Sequence, residues 1–229
     1  MATPRALASR ATPATARSTP RRSRVATSAR TSGEDAACAL EWAREAWAET
    51  MRAGPGTCVD ATLGRGRDAL TLLDLGADVV YGFDVEAAAI ASARDAFEAS
   101  GVDAGRVRVE LRCHAEGLAW LESSGLAGAV ACVAFNLGYL PGDDAATRAR
   151  RARTRRATTT AALESAFRLT RVGGRVTVVA YVGHDGGADE CEGVRECLAA
   201  LSSRDWVVTE RRVVNRRRAP ALFVALRRA

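Results

Sequence analysis

Two acids and two glycines around the turn "VDATLGRGRD" raise the first chemical question. Asp60 comes just before Gly64 and Gly66, and Asp84 follows 18 residues after Gly66. Gly64, Gly66 and Ala69 have the spacing of a loop whose backbone closes on a nucleotide, a weak signal by itself. A dinucleotide site keeps the Asp60 position apolar, because pyrophosphate must reach the next helix N-terminus and a carboxylate there repels it. S-adenosylmethionine has no phosphate and carries a sulfonium and an ammonium, so acids beside the glycines suit it. Asp84, at the tip of the following strand, can accept the ribose hydroxyl protons. The reading is an S-adenosylmethionine site at Asp60, Thr62, Gly64, Gly66, Asp68 and Asp84, ahead of a site for NAD. The bland alternative is that Asp60 and Asp84 only cap helices.

A second cluster lies in "AVACVAFNLGYLPGDD", residues 129–144. A run of small and β-branched apolar residues, the composition of a strand buried on both faces, breaks into Asn136, Leu137, Gly138, Tyr139, Leu140 and Pro141. Ligands of open α/β sheets sit at such strand ends. Were the methyl acceptor an amine, its nitrogen would have to be neutral with the lone pair aimed at the methyl carbon, so that positioning could supply much of the rate. The Asn136 oxygen, which also borders the cofactor site, can accept the amine's hydrogens while Tyr139 stacks on a base. Gly138 admits a close backbone approach and Pro141 stiffens the exit. Leu137 belongs to the same substrate loop, and an ordinary turn is the competing reading.

Only two histidines are present, and both fall just past expected strands. His184, in "GHDGG", is placed as acceptor of the proton released on methylation. His114 is expected near the adenine, with a helix start as its alternative. Neither has a partner at metal-ligand spacing, so no metal is expected. Six cysteines, none in a CxxC pair, read as reduced and buried thiols.

These groups need a scaffold, and the chain alternates strand and helix. Strands are expected over 57–61, 78–85, 106–113, the opening of 129–144, 173–184, 206–215 and 221–228. Helices are expected over 34–52, from Gly66 to about Gly76, over 86–100, 114–125, 158–170 and 188–201. Trp47 recurs with Leu40, Ala43 and Met51 at helical spacing, so it reads as core. Repeated βα units imply an α/β fold with a parallel sheet and right-handed crossovers. The expected architecture is a Rossmann-like, mostly parallel seven-stranded sheet with an antiparallel terminal strand, the pattern of class I methyltransferases.

Composition narrows the function classes. All 33 basic residues are Arg, which with the abundance of Ala reads as coding bias. Residues 1–33 hold seven Arg and no acid in an Ala, Ser, Thr and Pro background, the pattern of an organellar transit peptide without a core of its own. Residues 34–229 form the expected catalytic domain, with 26 Arg against 27 acids, so nucleic-acid binding must rest on a local patch. The candidate patch is Arg148, Arg150, Arg151, Arg153, Arg155 and Arg156, extended by Arg216, Arg217 and Arg218, with a solvated loop as the alternative. No apolar run approaches the roughly 18 to 20 residues of a membrane span, so no membrane partner is expected.

The segments "VDATLGRGRD", "YGFDV", "FNLGYLPGDD", "YVGHDGG" and "NRRRAPAL" together resemble the bacterial family once labelled rRNA methylases, with its MnmM-type tRNA methyltransferases and plant relatives. The resemblance runs from about Gly56 to residue 229. It implies a class I, S-adenosylmethionine-dependent enzyme that methylates the amine of 5-aminomethyl-2-thiouridine at the tRNA wobble position. The implied partner is a tRNA anticodon arm bound through Arg148, Arg151 and Arg155; a homodimer stays open. The plant relatives favour a chloroplast over a mitochondrion. Departures are also visible. Leu63, Arg65 and Arg67 stand where the family's first loop has Cys, Asn and His, and "LPGDD" has one glycine fewer than LPGGD. The alternatives are methylation of rRNA or a small amine, an NAD-dependent oxidoreductase, and a non-catalytic RNA-binding protein.

Overall fold

The computed structural model describes Met1, residues 32–138 and residues 154–229. Seven strands form one sheet in the order β3-β2-β1-β4-β5-β7-β6. They are β1 (Thr57–Asp60), β2 (Val79–Asp84), β3 (Val107–Leu111), β4 (Val130–Asn136), β5 (Thr170–Ala180), β6 (Trp206–Arg212) and β7 (Ala221–Arg227). β1 to β5 pair in parallel, and β7 runs antiparallel between β5 and β6. This is the Rossmann-like class I methyltransferase arrangement expected from the sequence.

The helices are α1 (Ser32–Ala53), α2 (Arg67–Asp74), α3 (Ala87–Ala99), α4 (His114–Leu121), α5 (Arg156–Leu169) and α6 (Gly187–Ala199). β4 is central, and its period of two sends alternate residues to opposite faces. Cys132 and Ala134 join Leu63, Ala69, Leu72, Ile90 and Trp47 on the face covered by α1, α2 and α3. Val133, Phe135 and Leu137 join Leu118, Leu163 and Val194 on the face covered by α4, α5 and α6. Burial of Phe83 and Phe135 stabilises the sheet by about 2 to 3 kcal/mol for each ring. No helix among the described residues is long and apolar enough to cross a membrane.

Several boundaries differ from expectation, with β3, β5 and β6 ending at Leu111, Ala180 and Arg212 rather than at 113, 184 and 215, and two others have local reasons. The helix expected to run to residue 125 ends at Leu121, and the chain continues as a wide helical turn over Glu122–Leu126. Ser123 and Ser124 donate their hydroxyls back to the Trp120 carbonyl at 2.9 and 2.8 Å, and Gly125 takes φ +89°. Competing side-chain bonds and a left-handed glycine both end a regular helix. β5 starts at Thr170 rather than residue 173, after a register shift in β4 between Val130 and Cys132.

Trp47 is core, as its spacing implies, and fastens α1 to the sheet. Its side chain is 2% exposed, and the indole Nε1 donates to Thr177 Oγ1 of β5 at 2.8 Å. Trp47→Phe keeps most of the packing but leaves the Thr177 hydroxyl without its donor. The expected loss is about 1 to 3 kcal/mol in urea-induced unfolding. A change within error would show that the bond contributes nothing.

Candidate active site

The turn between β1 and α2 is built around carboxylates. Asp60, the last residue of β1, is 1% exposed. Its Oδ1 accepts the Thr62 N–H at 3.2 Å, while Oδ2 is buried without a hydrogen-bond partner among the described residues. Burial, the neighbouring Asp68 and, more weakly, Asp84 push the Asp60 carboxyl well above the usual carboxylate range, against the pull of the Thr62 N–H. Asp84 binds the turn from β2. Its Oδ2 accepts the Gly64 N–H at 2.8 Å and its Oδ1 the Glu86 N–H at 2.9 Å, where α3 begins. Asp84 therefore does order a turn and a helix start. Each of its oxygens also keeps a second lone pair for a ligand. Gly64 and Gly66 hold φ of +52° and +76°, and a Cβ on Gly66 would stand 2.9 Å from the Phe97 ring.

Asn136 ends β4 beside this turn. Its N–H donates to Thr62 Oγ1 at 2.7 Å, and its side-chain Nδ2 donates to Asp68 Oδ2 at 3.1 Å. Asp68, at the start of α2, is 9% exposed. Burial raises its carboxyl, opposed by the Asn136 bond and by the charges of Arg44 and Arg67. With the NH2 group committed to a carboxylate, the Asn136 oxygen is the group left to accept from a ligand. Thr62 and Asp68, expected beside the cofactor, thus also set the backbone and the rotamer of the catalytic candidate.

The next two residues are held from the other side. The Leu137 N–H donates to the Val179 carbonyl of β5 at 2.8 Å. Leu137, expected against RNA, is 1% exposed and packs in the core of the α4, α5 and α6 face, so its side chain faces the core rather than RNA. The Gly138 N–H donates to Thr154 Oγ1 at 3.0 Å, and that hydroxyl donates to Glu190 Oε2 at 2.9 Å. Thr159 Oγ1 of α5 donates to Glu190 Oε1 at 2.6 Å. Glu190, in the first turn of α6, is 2% exposed, and burial raises its carboxyl against the pull of the two hydroxyls and of His184. His184 meets the same corner: a Cβ on Gly138, whose φ is +130°, would lie 3.5 Å from His184 Nε2. His184 Nδ1 lies 3.0 Å from the Asp185 carbonyl.

Thr154, Thr159 and Glu190 are the residues that the sequence reading missed. Glu190 stands four positions before Val194 on a helix whose buried stripe includes Cys191, Val194 and Leu198. That spacing was the available signal.

His114 starts α4 on the far face of the sheet from the Asn136 side chain, edge-on to Phe135 with ring centroids 6.1 Å apart. Its ring is 7% exposed and its Nε2 is buried without a partner among the described residues. Arg155 is exposed at the entry to α5, and Arg217 and Arg218 are exposed in the turn between β6 and β7. This turn borders the His184 loop, since a Cβ on Gly183 would lie 3.9 Å from the Arg218 carbonyl. Tyr139, Pro141, Arg148 and Arg151 lie outside the described residues. Among the described residues no group of His, Cys, Asp or Glu is arranged to hold a metal ion, and the cysteines are free thiols, with Cys58 pushed by burial up to about 12.

The site fits a cationic nucleoside better than a dinucleotide. Asp60 and Asp68 beside the α2 N-terminus repel pyrophosphate, and a ligand bearing positive charge relieves the repulsion among the carboxylates. Comparison with known proteins agrees. The family described as "Putative rRNA methylase" matches residues 80–227. Over 200 residues the chain is 32% identical to an Arabidopsis thaliana protein named "tRNA (mnm(5)s(2)U34)-methyltransferase, chloroplastic", covering 83% of this chain and 69% of that one. A crystal structure titled as a "putative rRNA-methylase" from Clostridium thermocellum superposes with TM-score 0.70 at 30% identity, over 82% of this chain and 97% of the other. A "putative methyltransferase" of Streptococcus mutans solved in complex with SAH shares the fold, with TM-score 0.68 at 24% identity over 82% and 97% of the two chains.

Burial of His114 yields a pH dependence with a definite sign. Desolvation lowers its pKa from the ordinary 6.5 to about 4, so the folded chain resists the proton that the unfolded chain accepts. This contribution is intact above pH 6.5 and is lost as pH falls toward 4, about 3 kcal/mol in all. The raised carboxyls of Asp60, Asp68 and Glu190 act in the opposite direction, and they cancel when variant and parent are compared at each pH. Urea unfolding at pH 7 and pH 4.5 should show that His114→Gln loses less stability on acidification than the parent. Equal losses would mean that His114 is not a neutral buried imidazole.

Proposed function

From the premise that this chain belongs to the rRNA methylase family and is an S-adenosylmethionine-dependent methyltransferase, we propose that it N-methylates the 5-aminomethyl group of a wobble (2-thio)uridine in organellar tRNA. The observation that carries this reading is the Asn136 side chain, held by Asp68 at the end of β4 with its oxygen left to accept. An acceptor there suits an amine, whose hydrogens it takes while the lone pair is turned toward the methyl donor. The Arabidopsis relative, whose name specifies that tRNA position, supports the choice of substrate.

Within this reading Asp60, Thr62, Gly64, Gly66, Asp68 and Asp84 hold S-adenosylmethionine, which supplies an electrophilic methyl group on a sulfonium. Asp60 would compensate its positive charge, and the remaining lone pairs of Asp84 would accept from ribose hydroxyls. Asn136 aims the amine and excludes unproductive orientations, a contribution of proximity and alignment. His184, beside Gly138, takes the proton that the methylated amine gives up, directly or through water. Tyr139 and Pro141 complete the substrate loop. Residues 1–33 act as a transit peptide, and the chloroplastic relative favours the plastid over the mitochondrion.

Two experiments test this function. Mass spectrometry of tRNA nucleosides from plastids and mitochondria lacking the protein should show the unmethylated 5-aminomethyl form accumulating in one organelle. An unchanged nucleoside profile in both defeats the substrate and the location together. In vitro, Asn136→Ala should stay folded and bind S-adenosylmethionine, with a melting temperature lowered by loss of the Asp68 bond, while its single-turnover rate at saturating tRNA falls about 100-fold. A parental rate would leave Asn136 as a turn residue only.

RNA docking is assigned to the exposed Arg155, to Arg216, Arg217 and Arg218 in the turn between β6 and β7, and to Arg148 and Arg151 of the basic run in the sequence. None of the four described guanidiniums makes an ion pair among the described residues, unlike Arg156, Arg168, Arg175 and Arg195. Unpaired guanidiniums are free to meet phosphates and to release counterions. Replacing Arg216, Arg217 and Arg218 with Ser should weaken tRNA binding and flatten its log–log salt dependence by about 0.7 to 0.9 for each phosphate that is no longer neutralised. An unchanged slope would mark the turn as solvated surface.

A further inference from the structure

We propose that Glu190 and Thr154 act as a positioning pair for the end of β4, orienting the Asn136 to Gly138 backbone for the reaction. The inference rests on the amine methyltransferase reading and concerns residues outside the groups assigned to cofactor and substrate. Three successive backbone N–H groups leave β4, and each has a different holder. Asn136 is held by Thr62, Leu137 by the Val179 carbonyl and Gly138 by the Thr154 hydroxyl. The first two holders belong to the sheet and its glycine turn. The third is a side chain on the far side of residues 139–153, so the segment's two ends are tied through one hydroxyl.

A hydroxyl both donates and accepts, and its direction is set by its neighbours. A carboxylate only accepts. Glu190 Oε2 therefore draws the Thr154 proton toward itself and leaves a Thr154 lone pair for the Gly138 N–H. Thr159 fills the other carboxylate oxygen, so Glu190 cannot swing away. Burying a carboxylate at 2% exposure with two hydroxyl donors is costly, and an apolar side chain there would serve packing at less expense. The placement of an acceptor-only group is what the cost secures. Gly138 lies against His184, so the same bond sets the distance between the exit of β4 and the proposed proton acceptor.

Four proteins separate positioning from stability: the parent, Thr154→Val, Thr154→Ser and Glu190→Gln. Thr154→Val is close in volume but has no acceptor. Thr154→Ser restores the hydroxyl. In Glu190→Gln the amide nitrogen can only donate, which disrupts the direction of the chain of bonds without emptying the space. Amide hydrogen exchange at Gly138, read by NMR on the full chain, should quicken about tenfold in Thr154→Val and Glu190→Gln, the scale of one lost hydrogen bond, and return to the parental rate in Thr154→Ser. The single-turnover methylation rate should fall by a similar factor in the same two variants and recover in Thr154→Ser, with S-adenosylmethionine affinity constant throughout. A merely structural role would instead lower the melting temperature and protection across α5 and α6 together. Parental Gly138 exchange in Thr154→Val and Glu190→Gln overturns the proposal, and so does quickened exchange with an unchanged methylation rate. A parent that methylates no tRNA nucleoside defeats the tRNA reading, while the exchange measurement still decides the clamp.

Discussion

Mutual repulsion among Asp60, Asp68 and Asp84 is the constraint around which this end of the molecule is organised. Asp60 and Asp68 lie where β1 passes into α2, and both are removed from water. An isolated buried charge of this kind would cost several kcal/mol, so the fold must supply donors. It does so through the Thr62, Gly64 and Glu86 N–H groups, and through the amide of Asn136. Each donor comes from a segment that the site also needs in place. The electrostatic requirement and the geometric requirement are met by the same four bonds.

That economy explains which parts of the site could be read from the sequence. Asp60, the glycine spacing and Asp84 were legible because a turn of fixed length constrains residue types at fixed offsets. The five parallel strands were legible because such strands have an apolar composition that helices flank in alternation. Glu190 was not. Its partner atoms come from α5 and from Thr154, 31 and 36 residues away. Helical spacing places Glu190 on the buried stripe but carries no trace of its long-range hydroxyl partners. Leu137 was misread for a related reason: it follows Asn136 directly, but the strand's period of two turns it into the core on the opposite face.

The two faces of β4 divide the work. The face toward α2 carries Asp60, Asp68 and Asn136, all polar and interlocked. The face toward α4 and α5 carries Phe135 and Leu137, with His114 against the Phe135 ring. An imidazole kept neutral by burial behaves there as a flat, weakly polar spacer near the end of β4.

The sheet order carries a consequence for how the chain must fold. β6 pairs only with β7 among the described residues, while β7 is the strand that joins β5. When β6 emerges from the ribosome, its neighbour in the finished sheet has yet to follow. The open edge of β5, an 11-residue strand, is exposed for that interval. Such an edge invites pairing with another chain. Arg211 and Arg212 near the end of β6, and Arg227 at the end of β7, place charge along the late-forming hairpin, a composition that resists aggregation until β7 inserts.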